Sequence, residues 1–183
     1  MSIASDAWLV VIDHQRIFAD PASDWCAPRF AETAPVVARL ATHFDDRVVL
    51  TRWLPGTDRH GSWRAYFDKW TFADRTESDE VFSLVPTATD LTERATVDVS
   101  TFGKWGPQLA TVTGEHAHLV LVGVATDCCV ISTALAAADA GCTVTVVSDG
   151  CAGSSDENQA AALQVMGLYA PQITVVDSAE LLG

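Results

Sequence analysis

Six short runs of apolar and β-branched residues, at 8–13, 47–52, 96–99, 118–124, 143–148 and 173–176, are separated along the chain mostly by helical patterns. That rhythm constrains the fold more than any other feature. Runs that are apolar throughout suit strands buried on both faces, and strands joined by helix-length segments pair in parallel because each return needs a crossover. Helical periodicity at 29–43, 106–113, 127–140 and 156–169, the last behind Ser154-Ser155-Asp156 as a cap region, supplies the covering layers. The expectation is an α/β fold, a single domain over 1–183 in which helices sandwich a mainly parallel six-stranded sheet. With 183 residues, 49% of them hydrophobic, the chain can fill one core and is not disordered in character.

The formal charge of −13, unrelieved by any basic run, matches neither phosphate backbones nor anionic membranes, so nucleic acid and membrane are excluded as partners. The apolar stretch at 7–12 is shorter than a signal-peptide core, and no lysine or arginine precedes it, which predicts a soluble, cytoplasmic protein. Five cysteines, an odd number with one adjacent pair, read as reduced thiols and not as a secreted disulfide framework. Cys26, Cys142 and Cys151 are scattered and read as small buried hydrophobes. There is no CxxC, Gly-x-Ser-x-Gly, GxxxxGK[ST] or GxGxxG pattern, and no organic cofactor is expected.

The junction Val120-Leu-Val-Gly-Val-Ala-Thr-Asp-Cys-Cys-Val-Ile-Ser-Thr-Ala134 carries the chemistry. A buried strand ends near Val124, Thr126 or Asp127 can cap the following helix, and Cys128 and Cys129 fall in its first turn. Unpaired N–H groups and the helix dipole favour a thiolate there, although a free cysteine in such a place is as often merely buried. Two distant residues add weight. Asp13 ends the first strand, where side chains commonly face a ligand crevice, and Lys104 follows the short third strand in Ser100-Thr-Phe-Gly-Lys-Trp-Gly106. An acid, a lysine and a helix-start cysteine at three strand ends make a nucleophile constellation.

On these segments the chain resembles the isochorismatase-like cysteine hydrolases, a family that includes nicotinamidases and N-carbamoyl amide hydrolases. Val11-Ile-Asp13-His-Gln15-Arg-Ile-Phe18 is similar to the family's first-strand motif, Lys104 falls at its lysine position, and Gly123-Val-Ala-Thr-Asp-Cys-Cys129-Val-Ile-Ser-Thr-Ala134 is similar to its nucleophile motif. The resemblance implies a Rossmann-like sheet of order 3-2-1-4-5-6, Cys129 as nucleophile, Asp13 and Lys104 as its catalytic partners, and a cis Val124–Ala125 bond. It implies an oxyanion hole from the N–H groups of Ala125 and Cys129, a small-molecule substrate, and a homo-oligomer, dimer or tetramer. Phe18, Trp70 and Trp105 lie nearest the motif positions that contact substrate in relatives, and are expected in the pocket.

Between Trp53 and Arg94 the chain is irregular and rich in aromatic residues, a usual character for a substrate-contacting connection. Those rings equally suit packing of the loop onto the sheet or an oligomer contact. Nicotinamidases carry an Asp-x-His metal pattern directly after the second strand; here Trp53-Leu-Pro55 stands in its place. Asp58-Arg-His60 follows slightly later, but two ligands without a third do not make a site, so no metal is expected and nicotinamide is disfavoured as substrate. His116 and His118, at the start of a strand, read as structural.

The chemistry implied is hydrolysis of an amide or carbamoyl C–N bond through a thioester. Two alternatives stand beside it. One is enol-ether hydrolysis of the isochorismatase type, which uses the acid and does not require the thiol. The other is a non-catalytic binding or redox module, suggested by the adjacent cysteines and the acidic surface.

Overall fold

The computed structural model describes residues 3–183. Strand β1 (Trp8–Ile12) leads into a short helix α1 (Arg16–Ala19), followed by α2 (Phe30–Ala41) and β2 (Val48–Trp53). The long connection holds α3 (Trp63–Lys69) and α4 (Pro86–Thr89), with single 3₁₀ turns at Thr71–Ala73 and Glu80–Phe82. Then come β3 (Val97–Val99), α5 (Pro107–Thr113), β4 (His118–Val124), α6 (Ile131–Asp139), β5 (Thr143–Ala152), α7 (Asp156–Gly167), β6 (Ile173–Val176) and α8 (Ser178–Leu182). The six strands form one sheet of order β3-β2-β1-β4-β5-β6, and every pairing is parallel.

Alternation along the strands explains the layers. Val10 and Ile12 of β1 join Leu119 and Leu121 of β4 in a cluster closed by Leu109 of α5, Ala134 of α6 and Met166 of α7. Leu9 and Val11 face the opposite way, onto Val37 and Leu40 of α2 and Leu181 of α8. Both faces are therefore apolar, which is why the strands read as unbroken hydrophobic runs. Each fully buried aliphatic side chain contributes roughly 1.5–3 kcal/mol. A third cluster, centred on Phe18, Phe30, Trp53, Phe67 and Phe82, sits beyond the strand ends near Val124 and Ala152.

Neighbouring strands β1 and β4 leave the sheet toward opposite sides: β2 and β3 lie beyond β1, β5 and β6 beyond β4. Such a reversal opens a crevice at the carboxyl ends, where ligands bind in sheets of this kind. Gly123 makes the close approach of the two strands possible. Its φ is +114°, and a Cβ there would lie 2.1 Å from the Ile12 carbonyl oxygen, so no other residue fits.

Two expectations need correction. Strand β5 runs to Ala152 and not 148, because its pairing with β4 slips between Leu121 and Gly123 and then resumes as Gly123 with Cys151. The helix expected over 127–140 opens instead as a π-turn at Thr126–Val130, with α6 continuing from Ile131. Neither Thr126 nor Asp127 caps it. Ala125 holds the cap position, and its carbonyl accepts the N–H of both Cys128 at 3.0 Å and Val130 at 3.1 Å. The Asp127 carboxylate is drawn away to Ser154, accepting from its backbone N–H at 2.7 Å and its hydroxyl at 2.6 Å. Among the described residues no helix is long and apolar enough to cross a membrane.

Candidate active site

Asp13 is the first residue past β1 and is fully buried. Its φ of +52° is a left-handed conformation that aspartate tolerates better than most side chains. The Thr51 hydroxyl, on β2, donates to Asp13 Oδ1 at 2.8 Å and accepts the Asp13 backbone N–H at 3.3 Å. Lys104 Nζ stands 2.8 Å from Asp13 Oδ2, with both side chains closed to solvent. Among the described residues no donor other than the Lys104 ammonium is placed on Oδ2. Removal from water makes this ion pair electrostatically strong and makes either charge costly without the other.

Lys104 is held from two directions. Its Nζ donates to the Thr101 carbonyl at 3.1 Å, and its backbone N–H donates to the Thr133 hydroxyl at 2.9 Å. That hydroxyl in turn donates to the Cys129 carbonyl at 2.6 Å. One threonine thus ties the loop bearing Lys104 to the turn bearing Cys129. Sequence reading missed Thr51 and Thr133. A polar residue in the apolar run of β2, and a threonine one turn after Cys129, were the available signals.

Cys128 and Cys129 both border a cavity of about 420 Å³ beyond the carboxyl ends of the strands. Asp13 and Lys104 are not on its wall, yet their charges reach both thiols. The hydrogen bond between the thiols, then burial and the Asp13 charge, hold the Cys129 thiol well above the ordinary range, while Lys104 pulls it down. The same hydrogen bond lowers Cys128, against burial and the charge of Asp127. Cys128 is thus the lowered thiol and Cys129 the raised one, first through the hydrogen bond they share and then through the deeper burial of Cys129, so the lowering expected for a helix-start thiol does not reach Cys129. The Val124–Ala125 bond is cis.

Phe18 and Trp70 line this cavity, as does Ala125, together with Trp25, Trp53, Tyr66 and Phe102. Burial, then the neighbouring thiols, push the Tyr66 phenol upward. Trp105 is a correction. Lys104 turns inward to Asp13, and the next side chain along the loop packs instead on the core beneath α5 and α6, bordering clefts outside the thiol cavity.

Trp53 ends β2 inside the aromatic cluster, and neither Leu54 nor Pro55 is a metal ligand. Asp58 and His60 are exposed and pair with each other, Oδ2 to Nδ1 at 3.1 Å. Among the described residues no group of three or more His, Cys, Asp or Glu is placed to hold a metal ion, so the donor set does not fit one.

A family model for the isochorismatase domain matches residues 7–180. The chain belongs to the isochorismatase family. Solved structures with this fold include a cysteine hydrolase from Pseudomonas syringae pv. phaseolicola, with a TM-score of 0.80 at 16% identity over 97% of this chain and 92% of that one. An isochorismatase family protein from Desulfovibrio vulgaris subsp. vulgaris superposes with a TM-score of 0.79 at 19% identity, covering 95% of each chain. The pyrazinamidase of Pyrococcus horikoshii in complex with zinc has a TM-score of 0.71 at 21% identity, covering 94% of this chain and 99% of that one. No curated protein sequence matches the chain. At these identities the likenesses establish the fold, which this isochorismatase-family chain shares over nearly its whole length.

Proposed function

We propose that this isochorismatase-family chain is a cysteine-dependent hydrolase that cleaves an amide or carbamoyl C–N bond of a small molecule through a thioester. The observation that carries the reading is the placement of Cys129 on the cavity wall, within electrostatic reach of the solvent-free Asp13–Lys104 pair. The cysteine hydrolase and pyrazinamidase neighbours add support at the level of reaction class.

In this reading Cys129 rests as a thiol, since its environment disfavours the anion. Deprotonation is therefore tied to attack. Asp13 takes the thiol proton, for which Oδ2 has a free lone pair while Thr51 holds Oδ1. The sulfur bonds to the substrate carbonyl carbon, and the N–H groups of Ala125 and Cys129 receive the oxyanion. As the C–N bond breaks, Asp13 returns the proton to the departing ammonia or amine. Water, deprotonated by Asp13, then opens the thioester and releases acid and free thiol. Lys104 keeps the total charge of the site low as the proton moves, and Phe18 and Trp70 contact the substrate.

The test is ammonia release across small primary amides, ureido acids and carbamoylated amines. Cys129→Ala is expected to lower turnover by at least about 1,000-fold without changing the fold, as removal of a nucleophile does. Cys128→Ala is expected to retain measurable turnover. Retention by Cys129→Ala, with loss in Cys128→Ala, discards the reading.

A further inference from the structure

The wall of the thiol cavity carries a nucleophile that the proposed hydrolysis does not use. Cys128 borders the same cavity as its neighbour Cys129, and the two thiols share a hydrogen bond. All five cysteines are free, and Cys26 also borders this cavity.

The two adjacent thiols are unlike. Their shared hydrogen bond lowers Cys128, against burial and the Asp127 charge, and raises Cys129, to which burial and the Asp13 charge add. Cys128 is also the more open of the two, half-buried where Cys129 is 4% exposed. Thiolate is the form that attacks a peroxide oxygen, so Cys128 reacts first while Cys129 rests as the thiol beside it. An accessible, more acidic thiol in contact with a second thiol is the usual arrangement of an oxidation-sensing pair. Cys26 is set apart, because burial and the Asp20 charge raise its thiol.

We propose that the Cys128–Cys129 pair is a reversible oxidation site for small hydroperoxides, closing to a disulfide that takes the nucleophile out of use. The Cys128 thiolate attacks one peroxide oxygen and the O–O bond breaks. The sulfur keeps that oxygen as a sulfenic acid, and the other oxygen leaves as water or an alcohol, taking the proton that Cys128 had lost. The Cys129 sulfur then attacks the Cys128 sulfur, the S–O bond breaks, and water leaves with the proton given up by Cys129. The pair has lost two electrons and two protons, and the peroxide has been reduced. Adjacent Cα atoms lie about 3.8 Å apart, short of the roughly 4.4–6.8 Å usual across a disulfide, so the bond is strained and readily reduced by a dithiol. Without Cys128, oxidation of Cys129 would run on to sulfinic acid, which thiols do not reverse. The loss of turnover rests on the hydrolase reading; the disulfide itself does not.

The experiment treats reduced full-length protein with hydrogen peroxide, labels the remaining thiols with iodoacetamide and cleaves before aspartate, which frees residues 127–138 with Cys128 and Cys129 as their only cysteines. That peptide is expected to lose the mass of two hydrogens and its labelling to fall at least about 10-fold, and amide turnover with it. Dithiothreitol is expected to restore both. Cys128→Ser is expected to form no disulfide, its Cys129 instead gaining two oxygens that dithiothreitol does not remove. Cys26→Ser is expected to form the disulfide as the unmutated protein does. A disulfide from Cys26 to either thiol, a bond between two chains, or direct oxidation of Cys129 to sulfinic acid in the unmutated protein overturns the proposal. If Cys128→Ser fails to fold, the mass of the 127–138 peptide from unmutated protein decides alone. Reversible disulfide formation with no turnover of any amide by the reduced protein would sink the hydrolase reading and leave the oxidation site standing; turnover lost to peroxide without a disulfide does the reverse.

Discussion

Asp13 and Lys104 meet at 2.8 Å with no exposed side-chain surface, so each is the other's solvent. Removing one partner strands the other charge in the interior, which typically costs 3–5 kcal/mol, whereas replacing both by uncharged groups of similar size is often close to neutral. Lys104→Met is therefore expected to lose about 3–5 kcal/mol in urea unfolding, and Asp13→Asn/Lys104→Met to recover a large part of that loss. Both proteins are expected to be inactive. Additive losses in the double variant would mean that the two residues do not act as a pair.

Strands were the legible elements. All six apolar runs became strands, because a sheet covered on both faces has to write itself as uninterrupted hydrophobic sequence. Their order was not readable from the residues and came from the family resemblance. Helices α1, α4 and α8 were missed because four or five residues hold too few turns for a periodic signal, and α3 because it lies in the irregular, aromatic-rich connection. The π-turn at Thr126–Val130 was hidden for a different reason. Asp127, one of the expected caps, bonds instead to Ser154, a contact 27 residues away in the chain. Trp105 was misplaced because adjacency to Lys104 in sequence says nothing about direction, whereas Cys129, Phe18 and Trp70 sit on strand-end and loop positions that the fold gathers at one crevice. Gly123 was legible as a motif residue but not as a steric necessity. Gly123→Ala is expected to cost more than about 4 kcal/mol, because its Cβ would overlap backbone of β1 and not a side chain that could move. Circular dichroism and thermal unfolding check this; a folded Gly123→Ala protein with native stability would show that β1 and β4 can separate where the structure has them in contact.

Across the whole molecule, one buried histidine couples stability to pH. His14 is 1% exposed, packed on the Phe30 ring at 4.8 Å, and burial lowers its pKa to about 4 from an ordinary value of 6.5. The unfolded chain takes up this proton near pH 6.5, but the folded chain does not until about 4. Protonation thus favours unfolding throughout that interval: stability present above pH 6.5 falls as the pH drops toward 4, by about 3 kcal/mol in all. Carboxylates contribute in a lower window. Burial works against ionisation of Asp98, but hydrogen bonds from Arg52 prevail and hold it below the ordinary carboxylate range, so its contribution fades under more acidic conditions than that of His14. The two windows can be separated with His14→Phe, which keeps a ring against Phe30 and strands no partner, since the Thr33 hydroxyl also donates to the Phe30 carbonyl at 2.7 Å. Between pH 6.5 and 4 the unmutated protein is expected to lose about 6–12 °C in melting temperature, and His14→Phe to lose much less. An equal decline in both proteins would place the acid sensitivity elsewhere, and would mean that His14 takes up its proton without leaving the folded state.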